Sequence, residues 1–452
     1  MRPLVGLPVL VLLSCGACGR QAPSAAPDGA AASSVRPVPP GPPVLVFAVD
    51  GFEWEVILPL LREGELPHLA QLVERGTAGR LATMMPNKSP RLWTTIATGK
   101  PPAEHGILDF LKEPAAGDRH ARHYTSLDRR TKAFWNVLTD AGIPSDTIGW
   151  WVTYPAEEVL GTMVSQTNTK RSFGIKKGHL EADLPGQVWP PEREPSVFAA
   201  MARSEQRLPE LTDEIFGLRA EDLAPNLRRP WRQCEWIFRA DSTYATVLRA
   251  LLDRGAPARV TTLFVGGTDV VGHRFWSAYR PETADPSPTA EEIAAFGRVV
   301  PDYYRYVDRV IGEFVGRFPQ STTVIVVADH GMRAGGHGGD DAGVFIAAGT
   351  GIRSGKVRDA STLQERDLPE LGTLPDFCPT LLTLVGLPYG EDMAGRPIEA
   401  LFTPQFLAAH PPTSVPTHDD AAWLESRGQE EFVLEDDERV EQLRELGYLG
   451  DE

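Results

Sequence analysis

A short run of β-branched residues that ends in an acid and an imidazole constrains this chain more than any other feature. Residues 323–328 read Thr-Val-Ile-Val-Val-Ala without polar alternation, which is typical of a parallel strand buried on both faces. Asp329 and His330 follow at once, and the glycine-rich segment 335–339 lets the chain turn so that His337 can approach them. In open α/β sheets, ligands bind beyond the carboxyl ends of the strands. These side chains are therefore either metal ligands or ordinary polar residues at a strand exit, and the other strand ends decide between the two.

Two further apolar runs also lead to an acid. Segment 43–49 is followed by Asp50, and segment 260–265 is followed within four residues by Asp269. His273 lies four positions after Asp269, hence on the same face if this segment is helical. Three carboxylates and three imidazoles at separate strand ends suit a pair of divalent ions, because oxygen and nitrogen ligands without thiolate favour zinc or manganese. The sequence thus predicts a two-metal site.

A predicted helix start adds a hydroxyl group to this set. Ser89 and Pro90, followed by an apolar run that Gly99 closes, predict a helix with Ser89 as its N-cap and Pro90 at its first position. The free amides and the positive end of the helix dipole would then lie beside Ser89, which suits a phosphate oxygen or a serine alkoxide. Most serines in this setting are only caps, so the helix start alone leaves open whether Ser89 is a nucleophile.

Strand-like and helical segments alternate along most of the chain. This pattern predicts an α/β fold with a mostly parallel central sheet flanked by helices, in one large domain over residues 43–402. Segment 165–230 is polar and interrupted by prolines, and we expect it to be a partly helical insertion that caps the crevice. Segment 403–452 is predicted to be an acidic tail with a short helix over 437–446.

Net charge and the N-terminal residues bear on partners and location. The 452-residue chain carries a net charge of −16, which argues against nucleic-acid binding, so an anionic substrate would need positive charge supplied locally.

Residues 1–15 have the layout of a bacterial lipoprotein signal peptide with the lipid on Cys15, an ordinary signal peptide being the alternative. Residues 16–42, rich in Ala, Pro, Ser and Gly, are predicted to be a disordered tether. We therefore expect an exported cell-envelope lipoprotein on the periplasmic or cell-surface side. Whether Cys234 and Cys378 pair is left open.

Taken together, the motifs resemble those of the type I phosphodiesterase/nucleotide pyrophosphatase family of the alkaline phosphatase superfamily. The resemblance spans about residues 44–402 without most of the insertion, and it implies an alkaline-phosphatase-like catalytic domain. It rests on the following motifs: Asp50-Gly51, Asn87-Lys88-Ser89, Thr98-Gly99, His105-Gly106-Ile107, Asp269 with His273, Asp329-His330-Gly331 and His337-Gly338. It implies two sets of metal ligands: Asp269, His273 and His337 for one ion, and Asp50, Asp329, His330 and Ser89 for the other. Ser89 would also be the nucleophile.

The resemblance implies a phosphodiesterase or pyrophosphatase-type hydrolase that acts on a small anionic phosphoester through a covalent phospho-serine intermediate. Zinc is the expected metal and manganese the alternative, and no protein partner is inferred. No asparagine lies between Ser89 and Lys132 to hold a phosphoryl oxygen as in nucleotide pyrophosphatases. Arg91 can supply that contact, although a structural role for Arg91 is an equal alternative. The rival functions are a phospho-headgroup transferase, a phosphomonoesterase and a non-catalytic, metal-stabilised surface binding module.

Overall fold

The computed structural model describes residues 41–112, 122–166, 185–333, 336, 341–355 and 357–427. These residues belong to one compact unit. The predicted signal peptide, most of the predicted tether, His337 and the predicted helix over 437–446 lie outside the described residues. Within the described residues, every helix is too short or too polar to cross a membrane.

The strands that follow are numbered in chain order. They are β1 Val44–Val49, β2 Thr77–Ala82, β3 Leu111–Lys112, β4 Arg122–His123, β5 Ser145–Ile148, β6 Gly161–Val164, β7 Val188–Trp189, β8 Val260–Val265, β9 Thr323–Val327, β10 Gly343–Ala348, β11 Glu370–Thr373, β12 Tyr389–Gly390 and β13 Ser414–Val415. Nine of these described strands form one sheet in the order β11-β2-β10-β9-β1-β8-β5-β6-β7. The five strands from β9 to β6 are parallel, whereas β10 and β7 run antiparallel to their neighbours. The predicted mostly parallel sheet is confirmed.

Helices flank this sheet. They are α1 Trp54–Arg62, α2 Pro67–Arg75, α3 Ser89–Thr98, α4 Pro102–His105, α5 Phe134–Asp140, α6 Glu194–Phe216, α7 Arg228–Arg232, α8 Glu235–Leu252, α9 Gly267–Tyr279, α10 Ala290–Phe296, α11 Val299–Arg317, α12 Phe377–Leu384, α13 Pro404–Ala409 and α14 Ala421–Arg427. Helices α1, α2, α6, α8, α9 and α11 form one connected group, and α3, α5 and α12 form another.

The centre of the sheet is apolar on both faces. Every residue of β1, β8, β9 and β10 is buried, which is why these strands appear in the sequence as continuous apolar runs rather than as alternating ones. The carboxyl ends of β1, β8 and β9 lead to Asp50, Asp269 and Asp329. The fold therefore presents a fixed platform for side chains from separate parts of the chain.

Two regions differ in detail from what the sequence predicts. The predicted insertion contains a 23-residue helix, α6, with Pro209 inside it, and this helix packs along α8. The described part of the C-terminal segment also folds onto the domain: Asp420 pairs with Lys132, and Arg427 lies 2.5 Å from the buried Glu157. Neither region has the simple apolar periodicity that makes a buried element visible in a sequence.

The two cysteines whose pairing the sequence left open are free and buried. Burial raises the pKa of the Cys234 thiol to about 12 and also raises that of Cys378. Both thiols therefore remain protonated, and they contribute to the core as small apolar side chains.

Candidate active site

Asp50 lies at the carboxyl end of β1, where three parts of the chain meet. It is 3% exposed. Gly51 follows with a φ of 62°, and its N–H donates to Oδ1 of Asp329 at 3.3 Å. A Cβ on Gly51 would lie 2.9 Å from the Cβ of Asp269. Glycine is required here because the backbone is left-handed and α9 approaches it closely.

His330 faces three carboxylates. Its Nε2 lies 3.4 Å from Oδ1 of Asp50, 3.5 Å from Oδ2 of Asp329 and 3.9 Å from Oδ1 of Asp269. Its Nδ1 lies 2.7 Å from the carbonyl oxygen of Gly331, which can only accept, so Nδ1 donates. Nε2 is thereby turned toward the carboxylates, as a donor when the ring is protonated and as a ligand when a cation replaces that proton.

The electrostatics of this cluster follow from burying acids together. Burial and the charge of Asp50 raise the pKa of Asp329 well above its usual value. Burial lowers the pKa of His330, but the carboxylates of Asp329, Asp50 and Asp269 outweigh it and raise that pKa to about 10. One ligand atom each from Asp50, Asp269 and His330 lie within 4.8 Å of one another, a grouping that can hold a metal ion.

Helix α9 carries Asp269 and His273 on one face, as predicted. Nε2 of His273 lies 3.4 Å from Oδ1 of Asp269. Gly336, the residue before His337, lies against the His273 ring, because a Cβ on Gly336 would be 2.8 Å from Cε1 of His273. His337 itself lies outside the described residues, so its predicted role as a ligand stays a prediction.

Ser89 is the first residue of α3 and is 1% exposed. The prediction that Ser89 is the N-cap is wrong by one residue. Lys88 has extended backbone and its carbonyl accepts the first helical hydrogen bond, from the N–H of Leu92 at 3.0 Å, so Lys88 is the cap. Within the described residues, no hydrogen bond joins the Ser89 hydroxyl to the carboxylates.

Aromatic side chains connect the start of α3 with Asp50. The Lys88 ammonium lies 6.0 Å from the centre of the Phe110 ring, and Phe110 packs edge-on against Trp151 with 5.7 Å between centroids. Nε1 of Trp151 donates to Oδ2 of Asp50 at 3.3 Å. Phe110 and Trp151 also line a small cavity together with Asp50 and Asp269.

Arg91 is the third residue of α3 and lies in its first turn. Its Nη2 donates to the carbonyl of Met85 at 3.2 Å, and burial lowers its pKa while Asp109 opposes that effect. Its Nε is buried and has no hydrogen-bond partner among the described residues, and the same is true of Nδ2 of Asn87. The structure thus leaves donors of both side chains available near Ser89.

Two further acids, Asp241 and Glu53, hold the segments that carry the ligand cluster, and neither was a candidate from the sequence. Asp241 of α8 accepts from the N–H of Gly266 at 3.0 Å, the N–H of Gly267 at 2.9 Å and the hydroxyl of Tyr303 at 2.6 Å. Burial raises the pKa of Asp241 to about 6. Because Gly266 and Gly267 begin α9, this carboxylate fixes the helix that carries Asp269.

Glu53 plays a similar part at the end of β9. Its Oε2 accepts from the N–H of Met332 at 3.0 Å, and burial raises its pKa. Glu53 therefore holds the segment that follows His330.

The importance of Asp241 could have been predicted from the sequence, since it is an acid on the face of α8 that helical spacing assigns to the core with Ile237, Tyr244 and Leu248. The importance of Glu53 could not, because an acid at a helix start is usually only a cap.

This chain is similar to known proteins in sequence profile and in fold. No curated protein sequence is similar enough to this chain to be matched with it. The sequence profile of the family described as type I phosphodiesterase/nucleotide pyrophosphatase matches residues 44–346.

Similar solved structures have low sequence identity and bear on the fold alone. Alkaline phosphatase PafA is 12% identical with a TM-score of 0.50, and the match covers 80% of this chain and 99% of that one. Phosphonoacetate hydrolase from Sinorhizobium meliloti 1021, in complex with phosphonoformate, is 17% identical with a TM-score of 0.36, over 65% of this chain but only 57% of that one. Murine ectonucleotide pyrophosphatase/phosphodiesterase 5 is 13% identical with a TM-score of 0.41, over 76% and 95% of the two chains.

The family match covers more than half of the chain, includes the segments that carry Asp50, Ser89, Asp269 and Asp329, and agrees with an alkaline-phosphatase-like sheet. This chain therefore belongs to the type I phosphodiesterase/nucleotide pyrophosphatase family, a family of phosphoester hydrolases.

Proposed function

We propose that this chain is a two-metal phosphoric ester hydrolase of the phosphodiesterase or pyrophosphatase type, with Ser89 as its nucleophile. The observation that carries the proposal is the convergence of Asp50, Asp269 and His330, whose ligand atoms lie within 4.8 Å of one another at the carboxyl edge of the sheet. A buried cluster of this composition favours a bound cation, because like charges repel strongly in a medium of low dielectric constant.

The donor atoms fit divalent ions, and the superfamily is metal-dependent. We assign Asp50, Asp329, His330 and Ser89 to one ion and Asp269, His273 and His337 to the other. Carboxylate oxygens and imidazole nitrogens without thiolate favour zinc, with manganese as the alternative. Support for the assignment comes from the distances around His330 and from the approach of Gly336 to His273.

The reaction needs few other groups. When bound, divalent ions lower the pKa of a hydroxyl and offset the negative charge that develops on a phosphoryl group. Ser89 Oγ would attack phosphorus in line with the leaving oxygen, so that a phospho-serine forms and the alcohol or phosphate leaves. Water then hydrolyses the phospho-serine. The position of Ser89 at the start of a ten-residue helix supports this role, because the helix dipole there favours an alkoxide and a bound anion.

Phosphoryl oxygens also need fixed donors on the protein. We assign this contact to Arg91, with Asn87, which the sequence indicated only as part of the Asn87-Lys88-Ser89 motif, as a second donor. Arg91 Nε and Asn87 Nδ2 are buried without hydrogen-bond partners among the described residues, and both flank Ser89 within two positions. A charge-assisted contact from Arg91 would replace the asparagine that nucleotide pyrophosphatases place after the nucleophile.

Turnover of bis-(p-nitrophenyl) phosphate and of p-nitrophenyl phosphate, each with zinc or manganese restored, tests the reaction type. We expect the diester to be turned over faster, whereas a clear preference for the monoester would indicate a phosphomonoesterase. Product that appears only when an acceptor alcohol is added would indicate a transferase.

Ser89→Ala and Ser89→Thr test the nucleophile. We expect Ser89→Ala to lose turnover while it keeps bound metal, since two carboxylates and an imidazole still hold the ion that Ser89 shares. Ser89→Thr keeps a hydroxyl and should retain much of the activity. Unchanged turnover in Ser89→Ala would exclude Ser89 as the nucleophile. Absence of turnover in the unmodified chain as well, with metal bound, would favour a non-catalytic binding module.

We further propose that the chain is exported and held at a membrane by lipid on Cys15. The proposal rests on the sequence of residues 1–15 and on the Ala, Pro, Ser and Gly-rich composition of residues 16–42. Cys15→Ala should move the protein from the membrane fraction to the soluble fraction. An unchanged distribution in cell fractionation would remove the lipid from the proposal.

A further inference from the structure

The turn that follows β5 touches both parts of the proposed site. Nε1 of Trp151 donates to Oδ2 of Asp50 at 3.3 Å. Nε1 of Trp150 donates to the carbonyl oxygen of Trp93 at 3.1 Å, and Trp93 lies on α3, the helix that begins with Ser89. Of these two adjacent indoles, Trp151 therefore donates a hydrogen bond to a proposed metal ligand, and Trp150 donates one to the helix of the proposed nucleophile.

Packing leaves these indoles little freedom. The Trp151 ring meets Phe110 and Phe264 edge-on, with centroid separations of 5.7 and 6.4 Å. The Trp150 ring meets Trp93 at 5.2 Å, and is fully buried. Edge-to-face contacts of this kind fix the ring planes, so each indole N–H has a defined direction.

The backbone of the turn is strained at Val152. Its φ is 58°, and it is the one residue other than glycine with a positive φ among the described residues. The left-handed region is unfavourable for a β-branched side chain, and such outliers persist only where the surroundings hold them. Three contacts do so here: the N–H of Val152 donates to Oε1 of Gln166, Thr153 Oγ1 donates to the carbonyl of Trp150 at 2.6 Å, and the N–H of Gln166 donates to Thr153 Oγ1 at 3.2 Å.

We propose that Trp150, Trp151 and Val152 form a strained double-tryptophan turn that sets the position of Asp50 relative to α3. Trp151 orients the carboxylate of Asp50 through the hydrogen bond to Oδ2, which leaves Oδ1 directed at His330. Trp150 ties α3 to the same turn. Both tryptophans are positioning residues, and this inference rests on the proposed roles of Asp50 and Ser89.

Three Trp→Phe variants separate the two contacts. Trp151→Phe removes the hydrogen bond to Asp50, and we expect zinc affinity, measured by competition with a chromophoric chelator, to fall on the order of 10-fold, as for other hydrogen-bond partners of metal ligands. Trp150→Phe should leave zinc affinity unchanged and lower kcat with little change in KM. Trp189→Phe is the matched control, because its Nε1 donates to the carbonyl of Val159 at 3.0 Å on the edge strand β7.

A pair of variants at Val152 tests the strain. Val152→Ala and Val152→Gly both lose the buried isopropyl group, but only glycine relaxes at this φ. We expect Val152→Gly to unfold at a higher urea concentration than Val152→Ala, because glycine adopts this φ without strain. We also expect it to bind zinc more weakly, because glycine gives the turn other backbone conformations and so holds Trp151 less firmly.

The outcomes separate this inference from the proposed function. Zinc affinity and urea unfolding do not depend on Ser89 chemistry, so a fully active Ser89→Ala would leave both readouts interpretable. If Trp151→Phe bound zinc as tightly as Trp189→Phe, the turn would have no role in orienting Asp50. If Val152→Gly were less stable than Val152→Ala with equal zinc affinity, backbone strain at Val152 would have no part in positioning Trp151 against Asp50.

Discussion

Nε2 of His330 lies 3.4 Å from Oδ1 of Asp50, although the two residues leave different strands. The register of the sheet explains this proximity. Strand β1 pairs with β9 in parallel so that Ala48 is level with Val327, and two residues further on Asp50 is therefore level with Asp329. The site is in this sense a consequence of sheet pairing, since parallel strands of matched length must end at the same edge.

Asp50→Asn should reduce the stabilisation that zinc gives to the folded protein. A metal that binds only the native state stabilises it by about 2.7 kcal/mol when the free ion is 100 times its Kd. We expect a gain of at least this order for the unmodified chain and a smaller one for Asp50→Asn, because the cluster of Asp50, Asp269 and His330 loses a charged ligand while the ion proposed at Asp269, His273 and His337 keeps its own. Urea unfolding with zinc and with EDTA measures the difference. An equal gain in both proteins would place the metal elsewhere.

Gly51→Ala should damage both the fold and the metal site. Gly51 has a φ of 62°, and a Cβ there would lie 2.9 Å from the Cβ of Asp269. Gly64 is a matched control, because its φ is 73° and a Cβ there meets nothing within 4 Å. Gly64→Ala should cost about 1 kcal/mol of backbone strain alone. We expect Gly51→Ala to cost more in urea unfolding and to lose zinc, and equal costs with zinc retained would contradict the close approach.

Much of this arrangement could be predicted from the sequence, because it depends on patterns that are local. Unbroken apolar runs indicated buried parallel strands, and an acid soon after each run indicated the edge where ligands meet. Asp50, Asp329 and His330 needed only that reasoning. The pair Asp269 and His273 needed only the spacing of a helix, and the structure places both on one face of α9.

The rest could not be predicted, because it depends on contacts between distant segments. The bond from Trp151 to Asp50 joins residues that no periodicity relates. His105, which the sequence analysis used only as part of a motif, is buried against α3 rather than exposed to the crevice, with Nε2 3.0 Å from Oγ1 of Thr95. Side-chain bonds of this kind follow from the packed structure, and a sequence pattern contains no record of them.

Asp241→Asn should destabilise the protein more than Tyr303→Phe. The Asp241 carboxylate accepts three hydrogen bonds, whereas an amide offers one oxygen and turns its NH2 toward an N–H of Gly266 or Gly267. Leaving a buried donor unsatisfied costs about 1–3 kcal/mol, so we expect at least about 2 kcal/mol for Asp241→Asn and about 1 kcal/mol for Tyr303→Phe. Zinc affinity should fall with Asp241→Asn, since α9 carries Asp269. The reverse order of stabilities in urea would contradict the role assigned to Asp241.

His105 should make the folded protein less stable as pH falls below 6.5. The N–H of Ile107 donates to its Nδ1 at 3.1 Å, so Nε2 carries the hydrogen and donates to Thr95. Burial, with the charges of Arg129 and Arg91, lowers the pKa of His105 to about 3. Because the unfolded chain binds a proton near pH 6.5 and the folded chain does not, stability is lost between those two values, by about 1.4 kcal/mol from pH 7.5 to 5.5. His105→Gln should lack this loss in urea unfolding at both pH values. An equal loss in the two proteins would show that His105 is protonated in the fold.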